Sequence, residues 1–233
     1  AAAGAIRAAG RVDDGSTHLD TDAMERERGI TIFSSQAELD WEGARLTLVD
    51  APGHVDFSAE AERTVAALDA AILVVGANDG VQGHTETMWE LLERHDVPTL
   101  VFVSKCDLEN LGREGLLAEL SARLSPACLD ACALLAGDAA VTEEAAATDE
   151  RALDEYLESG SISRGTILRL FSRRAVFPVL FGAALRGEGV AELLDVLAGL
   201  VPERSWPDEF SARVTRLVEA DERIELVRGR VDA

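Results

Sequence analysis

Asp50-Ala51-Pro52-Gly53-His54 closes an apolar stretch, 45–49, in which Leu46 and Leu48 alternate with polar neighbours. An acid at the carboxyl end of a strand is where open α/β sheets place a metal or a ligand. Gly53 has no side chain to hold a backbone N–H away from an anion. His54 adds a group that can orient or deprotonate a water near neutral pH. On these five residues alone an ordinary strand-turn-helix reads as well. Two later stretches carry related chemistry: Ser104-Lys105-Cys106-Asp107 and Gly182-Ala183-Ala184 each follow a short apolar run. Lys105 is the only lysine in the chain, and its plain alternative is a surface lysine.

These clusters need strands to carry them. A strand is expected from about residue 30 to about 41, then a Glu42-Gly43 hairpin turn into the strand at 44–49. A helix is expected at 55–68. The runs AAILVVG (70–76) and TLVFV (99–103) are continuous and apolar, as buried parallel strands are. Between them Asn78-Asp79-Gly80 turns the chain, and 84–95 reads as a helix with Met88, Leu91 and Leu92 inward. Further helices are expected at 114–125, 153–158, 163–174 and 191–200, and a strand at 176–181 despite Pro178. The Ala-rich stretch 126–150 is less defined, with Thr142-Glu143-Glu144 and Thr148-Asp149-Glu150 as cap-like starts. Beyond Trp206-Pro207 the segments 210–218 and 224–231 alternate as strands. Strand-helix alternation before Pro202 gives an α/β fold with a mainly parallel sheet. The three polar clusters then line one edge of it.

Composition narrows the class. The chain has 233 residues, 47% hydrophobic, with a net charge of −21. No apolar run reaches the roughly 18–20 residues that span a bilayer, and residues 1–10 lack the apolar core of a signal peptide. A cytoplasmic protein with no membrane partner is expected. The acidic balance argues against broad nonspecific nucleic-acid binding, which needs a positive footprint, while leaving room for docking on RNA through one local surface. Cys106, Cys128 and Cys132 are odd in number and lack paired metal spacing, so they read as reduced thiols. Cys128 and Cys132 would share a face if their stretch were helical. His18, His84 and His95 read as surface or cap residues, and Glu60 and Glu62 as a solvated helix face.

The ordered motifs make the chain resemble the GTPase domain of translational GTPases, most of all elongation factor G and the tetracycline-resistance ribosomal protection proteins. The matching residues are 25–31 (ERERGIT, first switch), 50–54 (DAPGH, second switch) and 104–107 (SKCD, guanine motif). Gly182-Ala183-Ala184 resembles the family's Gly-Ser-Ala turn. The resemblance implies a P-loop NTPase-like G domain at 1–204, with a family insert at about 126–175. The first strands of a β-barrel domain would follow at 208–233. It implies GTP or GDP and Mg²⁺ as cofactors, with Thr31 and Asp50 toward the ion. Gly53 would sense the γ-phosphate, and His54 would orient the attacking water. Asp107 would accept from two guanine N–H groups and Lys105 would lay its stem over the base. Ser104, Gly182, Ala183 and Ala184 complete the base site. The implied partner is the ribosome, through large-subunit rRNA at the GTPase-activating site, for a monomeric factor with ribosome-dependent GTP hydrolysis.

The chain departs from that pattern in three places. No G-x-x-x-x-G-K-[ST] occurs, so the phosphate loop and its strand are expected upstream of residue 1, with 1–11 as the tail of the following helix. That strand would lie between those at 44–49 and 70–76, and the phosphates would lose their N–H cradle without it. The chain by itself is therefore expected to bind GTP very weakly. Ser104 stands where the family has Asn, and Ala183 where it has Ser. The alternative function is a degenerate G-domain binding module without turnover.

Overall fold

The computed structural model describes residues 35–51, 58–108, 111–201, 213–218 and 223–228. Strands β1 (Ser35–Trp41) and β2 (Ala44–Asp50) form an antiparallel hairpin in register Trp41↔Ala44 to Ser35↔Asp50. Its turn has φ of 48° at Glu42 and 83° at Gly43. Positive φ at both central residues matches the twist of the flanking strands, and glycine takes it without a Cβ penalty.

The main sheet is parallel throughout. It holds β3 (Ala71–Gly76), β4 (Thr99–Ser104), β5 (Cys128–Asp130) and β6 (Phe177–Phe181), in the order β3-β4-β6-β5. Helices α1 (Ser58–Val65), α2 (Gly83–Arg94) and α3 (Gly112–Arg123) join the earlier strands, and α8 (Val190–Leu200) follows the last. β4 is buried along Thr99–Val103 because helices cover both of its faces. Leu100, Phe102 and Leu180 belong to a core shared with α8, and Val101, Val103 and Val179 to one shared with α2 and α3. Among the described residues β2 and β3 share no ladder, and Val74, midway along β3, is 60% exposed. The hairpin instead packs Leu39, Trp41 and Leu46 against the first core, where Trp41 Nε1 donates to Asp195 of α8 at 2.8 Å.

The Ala-rich stretch is ordered, and of its two expected cap-like starts Thr148-Asp149-Glu150 does open a helix, with Asp149 as its N-cap, while Thr142 lies inside one. It contains β5 and the short helices α4 (Ala131–Ala136) and α5 (Ala139–Ala146), followed by α6 (Glu150–Ser159) and α7 (Arg164–Ser172). Asp130, Asp138 and Asp149 each accept backbone N–H groups at a helix start, and Ser163 does the same for α7. Arg169 beside Asp149 holds that carboxyl below its ordinary range. Cys128 and Cys132 do not share a helical face: Cys128 is buried in β5, and Cys132 is exposed on α4. Burial pushes the Cys128 thiol up to about 12, which makes it inert.

Pro178 sits inside the sheet without costing a ladder bond. Phe177 N–H donates toward β5, to Ala127 O, so alternation turns the Pro178 nitrogen toward β4. There the pairing begins one residue later, at Val101↔Val179. Arg174 braces this end of the sheet. Its guanidinium lies 5.3 Å from the Trp89 ring and 5.0 Å from the Phe177 ring, and it donates to Val97 O and to Thr99 Oγ1. Desolvation pulls its pKa down. Arg174→Ala is expected to lower unfolding stability by about 2 kcal/mol through the lost cation–π contacts and an unsatisfied carbonyl. Urea denaturation checks it, and a change below about 0.5 kcal/mol would show the brace is idle.

The pair β7 (Arg213–Val218) and β8 (Arg223–Arg228) is antiparallel, with register shifts at Arg213/Val214 and Val214/Arg216. Among the described residues no helix is long and apolar enough to cross a membrane.

Candidate functional site

Strand order brings the second and third sequence clusters together. β4 and β6 are neighbours, so their carboxyl ends, Ser104–Asp107 and Gly182–Ala184, lie side by side. Two backbone bonds lock them: Gly182 N–H donates to Val103 O at 2.9 Å, and Cys106 N–H donates to Gly182 O at 3.0 Å. Gly182 is required for this closeness. A Cβ there would stand 2.3 Å from Glu188 O and 2.9 Å from the Phe102 ring. Ala183 is buried and pairs with Glu188 in an isolated antiparallel bridge. Ala184 then opens a 3-10 turn, Ala184–Arg186, whose first N–H is not used inside the turn.

On the β4 side Lys105 has φ of 61°, a conformation that costs a side-chain-bearing residue energy and concentrates at functional sites. Its side chain is 58% exposed, with Nζ 3.9 Å from Asp79 Oδ2 in the Asn78-Asp79-Gly80 turn after β3. Ser104 is half-buried at the strand end. The Asp107 side chain is only 22% exposed, and Arg186 Nε stands 3.0 Å from its Oδ2. Cys106 Sγ turns inward toward Val103 O at 3.2 Å, away from the role of a nucleophile.

This edge therefore assembles a carboxylate with two acceptor oxygens, an aliphatic stem ending in a cation, and a glycine-alanine turn. Such a set can hold a flat heterocycle that presents paired N–H donors. Neither Asp79 nor Arg186 stood among the sequence candidates. The signal for Arg186 was a cation two residues beyond the Gly-Ala-Ala turn, facing an acid that only the fold brings near.

The first cluster is only partly placed. Asp50 ends β2 and is half-buried. Thr31, Gly53 and His54 lie outside the described residues, as do the 25–31 motif, residues 1–11 and His18. Among the described residues no group of three or more His, Cys, Asp or Glu side chains could hold a metal ion. Asp50 carries carboxylate oxygens of the kind that suit Mg²⁺. Of the other histidines, His84 is exposed and His95 is the C-cap of α2.

Residues 1–203 match the family of the elongation factor Tu GTP binding domain, and the chain belongs to that family. Its curated relatives include the tetracycline resistance protein TetW of Butyrivibrio fibrisolvens, 33% identical over 85% of this chain and 33% of its own. The oxytetracycline resistance protein of Streptomyces rimosus is 36% identical over 91% of this chain and 35% of its own. Elongation factor G of Mycoplasma pneumoniae is 29% identical over 85% and 36%. A crystal structure of a Thermus thermophilus protein superposes with a TM-score of 0.77 at 26% identity, covering 87% of this chain and 37% of that one. The chain spans about a third of the length of the curated relatives it matches.

Proposed function

We propose that this chain is the nucleotide-binding part of a ribosome-dependent GTPase of the elongation factor G or ribosomal-protection kind, working in the cytoplasm as a monomer. The observation that carries the reading is the joined edge of β4 and β6, where the Cys106 N–H to Gly182 O bond sets Asp107 beside the Gly182–Ala184 turn. In that reading Asp107 accepts from guanine N1–H and the 2-amino group, and the Lys105 stem covers one face of the base. The N–H of Ala184 receives the base carbonyl, and Ser104 braces the loop with a hydroxyl.

Thr31 and Asp50 would hold Mg²⁺, which neutralises charge developing on the phosphates when bound. Gly53 would aim its N–H at the γ-phosphate and His54 would orient the water. The ribosome's large-subunit rRNA is the proposed activator.

The test is GTP hydrolysis by the complete gene product with and without ribosomes, scored beside tetracycline susceptibility of cells expressing it. Ribosome-stimulated hydrolysis is expected, and protection from the drug separates the resistance role from the translocase. Saturable GTP binding without stimulated turnover would favour the degenerate module. Absence of guanine nucleotide binding by the complete product would overturn the proposal.

A further inference from the structure

The Asp107 carboxylate already has a cationic neighbour of a particular shape. Arg186 Nε stands 3.0 Å from Asp107 Oδ2, and Arg186 belongs to the same 3-10 turn that follows the Gly182–Ala183 step. Guanine carries N1–H and a 2-amino group on one ring carbon, which is a guanidine unit built into a heterocycle. The arginine side chain carries the same unit, Nε–H and Nη–H on one carbon, and both suit one carboxylate. The Asp107 side chain is 22% exposed against 61% for Arg186, so the arginine is the partner with open solvent to move into.

We propose that Arg186 is a placeholder for the base: its guanidinium occupies the Asp107 carboxylate when the site is empty and leaves it when guanine docks. The proposal rests on the base-site reading given above and adds a residue that sets its affinity and salt response. An exposed ion pair contributes little, so the competition is mild.

Guanosine tests this on the complete gene product, because a nucleoside without phosphates reads the base site alone. Its binding is followed by NMR titration of the wild type, Arg186→Gln and Arg186→Lys, with adenosine as the control base and circular dichroism to show that each variant folds. Arg186→Gln is expected to bind guanosine about three- to fivefold more tightly, the gain matching an exposed ion pair. Wild-type affinity should rise between about 10 mM and about 1 M salt as the pair is screened, while Arg186→Gln stays flat because guanosine is neutral. Arg186→Lys should fall between the wild type and Arg186→Gln, since an ammonium keeps the charge but lacks the planar fork.

Equal or weaker guanosine binding by Arg186→Gln would overturn the placeholder and leave the base site standing, with Arg186 reduced to an orienting contact. No guanosine binding by wild type or variants would overturn the base-site reading as well.

Discussion

Asp107→Asn is expected to exchange guanine for xanthine as the preferred base. A carboxylate offers only acceptors, which suits the N1–H and 2-amino donors of guanine in the proposed pose. Asparagine keeps one acceptor and presents an NH₂ where the second oxygen stood. Against guanine that NH₂ meets the 2-amino group, donor to donor, and one charge-assisted bond is lost while another polar group is left unpaired. Hydrogen bonds to charged groups contribute about 1.5–3 kcal/mol each. Guanine nucleotide affinity should therefore fall by about two to three orders of magnitude. Xanthine carries a carbonyl at that carbon and restores the pair, so its nucleotide should regain most of the loss. Competition of guanosine and xanthosine diphosphates on the complete gene product measures both. A guanosine diphosphate affinity within about twofold of wild type would remove Asp107 from the base site.

The parallel strands were legible because burial on both faces leaves a continuous apolar run, which 71–76 and 99–103 display without interruption. Their polar terminations were legible for the same reason: the chemistry starts where the apolar run stops. The stretch 126–150 was not, because alanine fits a buried face and an exposed one alike and so prints no period. Its order comes from acids at helix starts, Asp130, Asp138 and Asp149, of which only Asp149, in Thr148-Asp149-Glu150, stands out in the sequence as a cap. Trp89 was passed over beside Met88, yet it is the more buried of the two and packs 4.5 Å from Phe177. That contact joins two elements far apart in the chain, and local periodicity carries no trace of it. The Arg186 contact to Asp107 escaped for the same physical reason, and so did the Arg174 brace. Long-range pairing of charges is fixed by strand order, and strand order is not written in any single segment.

Gly182→Ala tests how much of the site depends on that long-range closeness. The added methyl would stand 2.3 Å from Glu188 O, a backbone atom, and 2.9 Å from the Phe102 ring, which is itself core. Neither neighbour is the loose end of a flexible side chain, so the β6 end must move away from residues 188–189. That movement works against the Ala183–Glu188 bridge and the Cys106 N–H bond to Gly182 O together. Overpacking of this kind costs about 1–3 kcal/mol, and the loss of two backbone bonds places the expected value at the upper end. Gly165→Ala is the matched control: its Cβ meets only Ser163 Oγ, at 3.9 Å, on an exposed helical position. There alanine should be neutral or stabilise by up to about 1 kcal/mol. Denaturant unfolding of both variants gives the two signs. If Gly182→Ala unfolds with the wild-type midpoint, the turn can yield without loss, and the close join of β4 to β6 cannot be what holds Asp107 in place.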